Sequence, residues 1–257
     1  MGRIINFVSA SGGTGKSSLL YIFAKLLAES GKKICVFDGY FGLNSFSLIN
    51  HKGVDLKEYL CGNANLFDVV NKVQTNLYFI KTDSINFDYN KHIEHVNLIL
   101  EEIAFEFDYV LIDSCVFNDL AFSGLLEISN EIIMVLTDDN IVIKNSAKLI
   151  SKIKSKSKNV QVKILLNKAR IIHQIKGEVL DEITISKLLK EEIIFVLPKF
   201  LKYNQIKIQK MVNFKNKILS RYCYSIITNK QDILNYQKKY LGPIGWLRRK
   251  LYEKFEQ

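Results

Sequence analysis

Seven short apolar runs, alternating with stretches of helical periodicity, predict an α/β fold: a doubly wound, mostly parallel sheet flanked by helices. Several of these runs are hydrophobic without interruption, as strands buried on both faces of a parallel sheet must be. The first run, Ile4–Val8, also passes through a glycine-rich loop directly into a helical pattern starting near residue 16. That strand–turn–helix order places a ligand at the carboxyl ends of the strands.

In chain order, strands are expected at Ile4–Val8, Lys33–Asp38, Asn76–Ile80, Tyr109–Asp113, Ile132–Thr137, Val160–Leu166 and Ile193–Leu197. Each is rich in β-branched or aromatic residues. Helices are expected near 16–30, 90–105, 119–129, 142–155 and 182–190. No internal repeat is present, and composition does not break before about residue 199. Beyond Pro198 the pattern turns helical and basic as far as Leu241-Gly242-Pro243. Proline suits the first turn of a following helix, here Ile244 to Gln257.

Residues 9–18 read Ser-Ala-Ser-Gly-Gly-Thr-Gly-Lys-Ser-Ser. Glycines let backbone N–H groups approach an anion, and a helix N-terminus adds partial positive charge. The loop Gly12-Gly13-Thr14-Gly15 is thus a phosphate cradle, with Lys16 reaching terminal phosphates and the Ser17 hydroxyl available to Mg²⁺. The bland reading is a glycine turn that happens to precede Lys-Ser, and the strand and helix on either side argue against it. Ala10 stands where the general phosphate-loop pattern has its first glycine. Asp38 and Asp113 each close an apolar run, the position from which a carboxylate serves a metal–nucleotide site. Either acid alone is weak support, because strands often end in Asp for turn reasons.

The bulk properties narrow the class. Apolar content of 48% with only 2 prolines suits a globular domain rather than a linker-rich chain. No run is long and apolar enough to span a membrane, and the chain enters a strand without a leader, so a cytoplasmic location is expected. Cys35, Cys61, Cys115 and Cys223 are scattered without metal spacing and read as buried reduced thiols. His51, His92, His95 and His173 likewise have no ligand spacing. Residues 199–257 carry 14 Lys/Arg against 3 Asp/Glu, whereas the preceding 198 residues carry 22 against 23. The excess charge points to an acidic partner, either an anionic membrane or a nucleic acid, with a solvated lysine-rich surface as the bland alternative.

Taken together these residues resemble the MinD/ParA family of dimeric P-loop ATPases, and its MinD-like branch in particular. The family loop is Lys-Gly-Gly-x-Gly-Lys-Ser/Thr, and residues 11–17 are Ser-Gly-Gly-Thr-Gly-Lys-Ser. That pattern accounts for the missing glycine at position 10. Val36-Phe37-Asp38-Gly39-Tyr40-Phe41-Gly42-Leu43-Asn44 is similar to the first switch, and Asp113-Ser114 to the start of the second. Leu165-Leu166-Asn167-Lys168 resembles the segment whose asparagine recognises adenine. Asn76–Ile80 and Val196-Leu197-Pro198 resemble flanking strands, so the likeness runs in order over roughly residues 2–200.

The resemblance implies a P-loop NTPase domain over residues 1–240 and a C-terminal membrane-targeting helix over 241–257. It implies ATP held by Gly12, Gly13, Thr14, Gly15, Lys16, Ser17, Ser18 and Asn167. Mg²⁺ would be held by Ser17, Asp38 and Asp113, with Lys16 and Asp38 as the catalytic residues. It also implies a homodimer formed on ATP binding, an anionic membrane surface on the inner face of the cell membrane, and a protein cargo or activator. Placement of the division septum is the first expectation. Flagellar-number and pilus-locating relatives, ParA-like DNA partitioning and a non-catalytic scaffold are the alternatives.

Three departures bear on hydrolysis. Ser11 replaces the lysine that in the family reaches the partner's phosphates, and Tyr40 replaces the second acid of the first switch. The second switch reads Asp113-Ser114-Cys115-Val116-Phe117, without the usual proline or glycine. Removing a charge that stabilises phosphoryl transfer costs on the order of 10³-fold in rate. The expectation is nucleotide binding with slow or absent hydrolysis, unless Lys25 or a partner's lysine substitutes for the missing one.

On a helical projection Ile244, Leu247, Leu251 and Phe255 share one face with Tyr252 at its edge. Arg249, Lys250, Glu253, Lys254 and Glu256 lie largely opposite, Arg248 enters the apolar arc where it can snorkel, and Trp246 suits a headgroup layer. This is the pattern of an interfacial anchor, and its rival is a terminal helix packed on its own domain. Non-specific DNA binding by Lys207, Lys210, Lys215, Lys217 and Arg221 is the competing use of the basic region. Deleting residues 243–257 is expected to abolish flotation with anionic liposomes, and flotation that survives the deletion refutes the anchor.

Overall fold

The computed structural model describes residues 1–41, 53–82, 87–115, 119–157 and 160–199, with Arg221, Cys223, Ile226 and Ile227 beyond them. The helix expected over 241–257, Gly42-Leu43-Asn44, Val116-Phe117, His51 and Lys207, Lys210, Lys215 and Lys217 lie outside the described residues.

The strands are β1 (Arg3–Val8), β2 (Ile34–Gly39), β3 (Asn71–Gln74), β4 (Leu77–Ile80), β5 (Tyr109–Ser114), β6 (Glu131–Leu136), β7 (Gln161–Ala169) and β8 (Glu192–Pro198). They form one sheet in the order β3-β4-β2-β5-β1-β6-β7-β8, parallel throughout except for the β3–β4 pair. The helices are α1 (Lys16–Glu29), α2 (Leu56–Leu60), α3 (Leu66–Val69), α4 (Ile93–Glu106), α5 (Asp119–Glu127), α6 (Asn140–Lys156), α7 (Ile171–Ile175) and α8 (Glu182–Leu189). All seven expected strands form, and so do the five helices expected within the described residues. The sequence reading missed β3, α2, α3 and α7, which are four or five residues long and too short to show a period. β3 is also a partly exposed edge with a bulge between Lys72 and Gln74, so it has no continuous apolar run.

Alternation along the strands sorts side chains onto two faces. Ile5, Phe7, Ile34, Val36, Leu111, Ile133 and Leu165 meet α1 on one face, where Cys223 and Ile226 also pack. Ile4, Cys35, Phe37, Val110 and Ile112 meet α4 on the other. Val8, Ile132, Met134 and Ile164 continue that second layer under α5, α6 and α8. Three of the four cysteines, Cys35, Cys115 and Cys223, are buried as expected, but Cys61 is exposed because it caps the short helix α2 at the surface. Burial pushes the Cys35 and Cys223 thiols well up from their ordinary value.

The amino-terminal edge of the sheet holds a buried charge cluster. Lys163, inside the β7 run, is fully buried and donates to Glu131 at 2.8 Å. Glu131 is itself buried and also pairs with Arg3, whose side chain keeps 34% of its exposure. Arg3 Nη1 donates to the Ile227 carbonyl at 3.3 Å, which ties the C-terminal segment to β1. A buried ammonium is tolerated only while its carboxylate stays. Glu131→Ala is therefore expected to destabilise the fold by about 3–5 kcal/mol in urea titration, and Lys163→Met with Glu131→Leu to recover most of that loss.

Candidate functional site

Chain direction creates the site. From β1 the chain crosses to β2 on one side, and from β5 it crosses to β6 on the other, so a crevice opens at the carboxyl end of β1. The loop that fills it is held from within: Ser9 Oγ donates to the Ser11 carbonyl and hydrogen-bonds Thr14 Oγ1, both at 2.9 Å. Gly13 and Gly15 take left-handed backbone, φ 73° and 89°, which curls successive N–H groups around a concavity. Gly15 caps α1 without a side-chain acceptor, and no acid occupies the first turn. The helix N–H groups are therefore left for an anion from outside. The cavity measures about 230 Å³ and is lined by Ser9, Ser11, Gly12, Gly13, Thr14, Gly15, Lys16, Ser17, Ser18, Tyr40, Ser114 and Cys115.

Parallel register brings the two acids together: Asp38 and Asp113 are direct neighbours across the β2–β5 ladder, and Phe7 is the neighbour of Asp113 on β1. Lys16, at the start of α1, is buried and forms an ion pair with Asp113. Its Nζ also lies 4.6 Å from the centre of the Tyr40 ring. Burial alone pushes the Lys16 ammonium down, but the Asp113 carboxylate, helped by Tyr40, outweighs it and holds the group above its ordinary value. Asp38 Oδ1 accepts from the Tyr40 amide at 3.1 Å, and the Asp38 carbonyl accepts from Thr82 Oγ1 at 2.9 Å.

Asp113 Oδ2 and Ser114 Oγ are buried with no protein partner. Among the described residues no group of three or more His, Cys, Asp or Glu is arranged to hold a metal unaided. That combination suits Mg²⁺, which takes one or two carboxylates and fills its remaining positions with water and phosphate oxygens. The Ser17 hydroxyl on the cavity wall and the Asp38–Asp113 pair are the matching donors.

On the far side of the loop Asn167 Nδ2 donates to the Thr14 carbonyl at 2.7 Å and Lys168 Nζ to the Gly13 carbonyl at 2.6 Å. A Cβ on Gly15 would come within 2.5 Å of Asn167 Nδ2, so only glycine fits there. Asn167, expected at the base, thus also braces the loop. Ser11, where the family has lysine, faces Asn145 of α6, whose Nδ2 donates to Ser11 Oγ at 3.5 Å. Lys25 lies nine residues along α1 from Lys16. That is roughly 13 Å of helix, so Lys25 does not replace the missing lysine at its own loop. His173 pairs with Glu178 on the surface and His95 packs edge-on against Tyr59.

Thr82 and Asn145 carry no sequence expectation, and Lys168 enters it only as the neighbour of Asn167, without a role of its own. Thr82 follows β4 at the carboxyl edge, so the strand-end rule that found Asp38 and Asp113 would have found it; Asn145 carries no comparable signal.

Residues 2–168 match the model of a family described as AAA domain. The septum site-determining protein MinD of Helicobacter pylori is 27% identical over 202 residues, 74% of each chain. The fold is also that of the MinC:MinD cell division protein complex of Aquifex aeolicus, with a TM-score of 0.75 and 22% identity over 88% of this chain and 96% of that one. MinD of Pyrococcus horikoshii, solved with Mg-ADP, superposes with a TM-score of 0.70 and 18% identity over 88% and 96% of the two chains. The chain therefore belongs to this AAA-domain family, as a member of the MinD/ParA group of P-loop ATPases.

Proposed function

We propose that the protein binds Mg–ATP in this loop, dimerises on it and uses the dimer to hold a partner at the inner membrane surface, division-site placement being the first choice of process. The observation that carries the nucleotide reading is the left-handed glycine loop around a cavity lined by Lys16, whose ion-pair partner Asp113 keeps one buried oxygen without a protein partner. In that reading Gly12, Gly13, Thr14, Gly15 and Ser18 hold phosphate oxygens through backbone N–H groups, and Asn167 lies toward the base. Lys16 leaves Asp113 for the terminal phosphates. Ser17, Asp38 and Asp113 hold Mg²⁺, directly or through water. Bound Mg²⁺ supplies charge neutralisation between the phosphates.

Hydrolysis is weak in this reading. At position 40 an aromatic ring stacks on Lys16 where a carboxylate would orient water, and Ser11 spends its hydroxyl on Asn145. Membrane residence rests on the amphipathic segment 244–257. Two such helices in a dimer bind far better than one, which links nucleotide state to location. No described helix is long and apolar enough to cross a membrane.

One observation favours the ParA-like alternative. From Asn140 to Gly177 the sequence has ten Lys/Arg and no Asp or Glu. Lys144, Lys148, Lys152 and Lys156 recur every fourth residue on α6, about 6 Å apart along the helix, and Lys144 and Lys148 are exposed. Such a row, interleaved with Ala147 and Ser151 rather than large apolar groups, suits a nucleic-acid backbone better than a protein interface.

The purified protein is expected to bind Mg–ATP, to dimerise with it by light scattering and to float with anionic vesicles only in its presence. Turnover should lie on the order of 10³-fold below that of the Tyr40→Asp, Ser11→Lys double variant. Retardation of duplex DNA that falls steeply with salt, without flotation, decides for the partitioning reading. Absence of ATP affinity leaves a scaffold.

A further inference from the structure

We infer that Lys168 is a positioning residue for the phosphate loop: with Asn167 it clamps the outward carbonyls of Gly13 and Thr14 so that the N–H groups stay turned into the cavity. The inference rests on the nucleotide reading above. Consecutive side chains of a regular strand point to opposite faces, so Asn167 and Lys168 would not both reach one loop from an undistorted β7. Two irregularities bring them to the same side. Lys168 has left-handed backbone, φ 55°, and the β7–β8 register shifts between Leu166 and Ala169.

A left-handed lysine is an uncommon and strained conformation, and strain of this kind is kept where the surrounding structure gains from it. The gain here is specific. Left-handed Gly13 and Gly15 flank Thr14 in the loop, and the carbonyls of Gly13 and Thr14 are taken by donors from β7. Arg170 holds the other end of the distortion. Its amide donates to Asp138 Oδ2 at 2.7 Å and its Nε to Oδ1 at 2.9 Å, anchoring the bulge to the end of β6. The loop is thereby ordered before the anion arrives, and the ammonium brings a second positive charge to a loop that has Ser11 in place of a lysine.

The test is equilibrium binding of Mg–ATP and of Mg–pyrophosphate, which has no base, to wild type, Lys168→Met and Lys168→Arg, beside their thermal midpoints. Lys168→Met keeps the aliphatic stem and removes the donor. It is expected to weaken both ligands about tenfold, the usual worth of a charged hydrogen bond, with a midpoint within about 2 °C of wild type. Lys168→Arg should recover most of the affinity for both. Unchanged affinity in Lys168→Met, failure of Lys168→Arg to rescue, loss for ATP alone, or a loss matched by an equal fall in stability each overturns the clamp. Wild-type protein that binds neither ligand overturns the nucleotide reading itself, and the clamp with it.

Discussion

The buried ion pair between Lys16 and Asp113 joins the parts on which the rest of the site depends. It ties the first residue of α1 to the carboxyl end of β5, next to Asp38 on β2, and so draws loop, helix and two strands to one point. Two charges withdrawn from water must satisfy each other, and removing either leaves the other uncompensated. In the proposed reading a bound phosphate would offer Lys16 a second anion and leave the Asp113 carboxylate available to a cation.

Around that pair, the residues depart from the family pattern named above in a coherent direction. The parts proposed to cradle phosphate are intact: the left-handed glycines, the open helix N-terminus and the lysine at its start. The parts that the family uses on the attacking water and across the dimer carry a phenol and a serine instead. Tyr40 brings a ring rather than a carboxylate, and that ring stabilises the Lys16 ammonium from a second side. In the proposed function these two replacements are what shift the balance from turnover toward retention of nucleotide.

The two ends of the sheet divide the labour. At the carboxyl edge polar groups surround the cavity, and behind them Asp113 Oδ2 is buried without a hydrogen-bond partner. At the amino edge Arg3, Glu131 and Lys163 satisfy one another, and Arg3 also receives the chain returning at Ile227. The polar groups of the amino edge hold the fold; several of those at the carboxyl edge line or brace the cavity. α1 runs between them, with Lys16 at one end and Cys223 and Ile226 packed on its flank, so it physically links the loop to the start of the C-terminal region.

Local order was legible from the residues. Continuous apolar runs mark strands buried on both faces, and the glycine spacing before Gly15-Lys16-Ser17 marks the cradle, because each depends on residues close together in the chain. Asp38 and Asp113 were legible as strand-end acids one at a time. The edge strand β3 was not, since an exposed four-residue strand leaves no periodic trace. Nor was Lys163, a charge within an apolar run whose partner Glu131 lies 32 residues away. By itself the sequence determined the order of elements, the identity of the loop and the amphipathic terminal segment. Only the tertiary structure decided that Asp38 stands beside Asp113, that Lys16 is paired and stacked, and that Lys168 turns back onto Gly13. Those facts depend on the β2–β5 register and on the β7–β8 bulge, which are set by pairing between segments far apart in the chain, and Lys168 reaches a loop 155 residues before it.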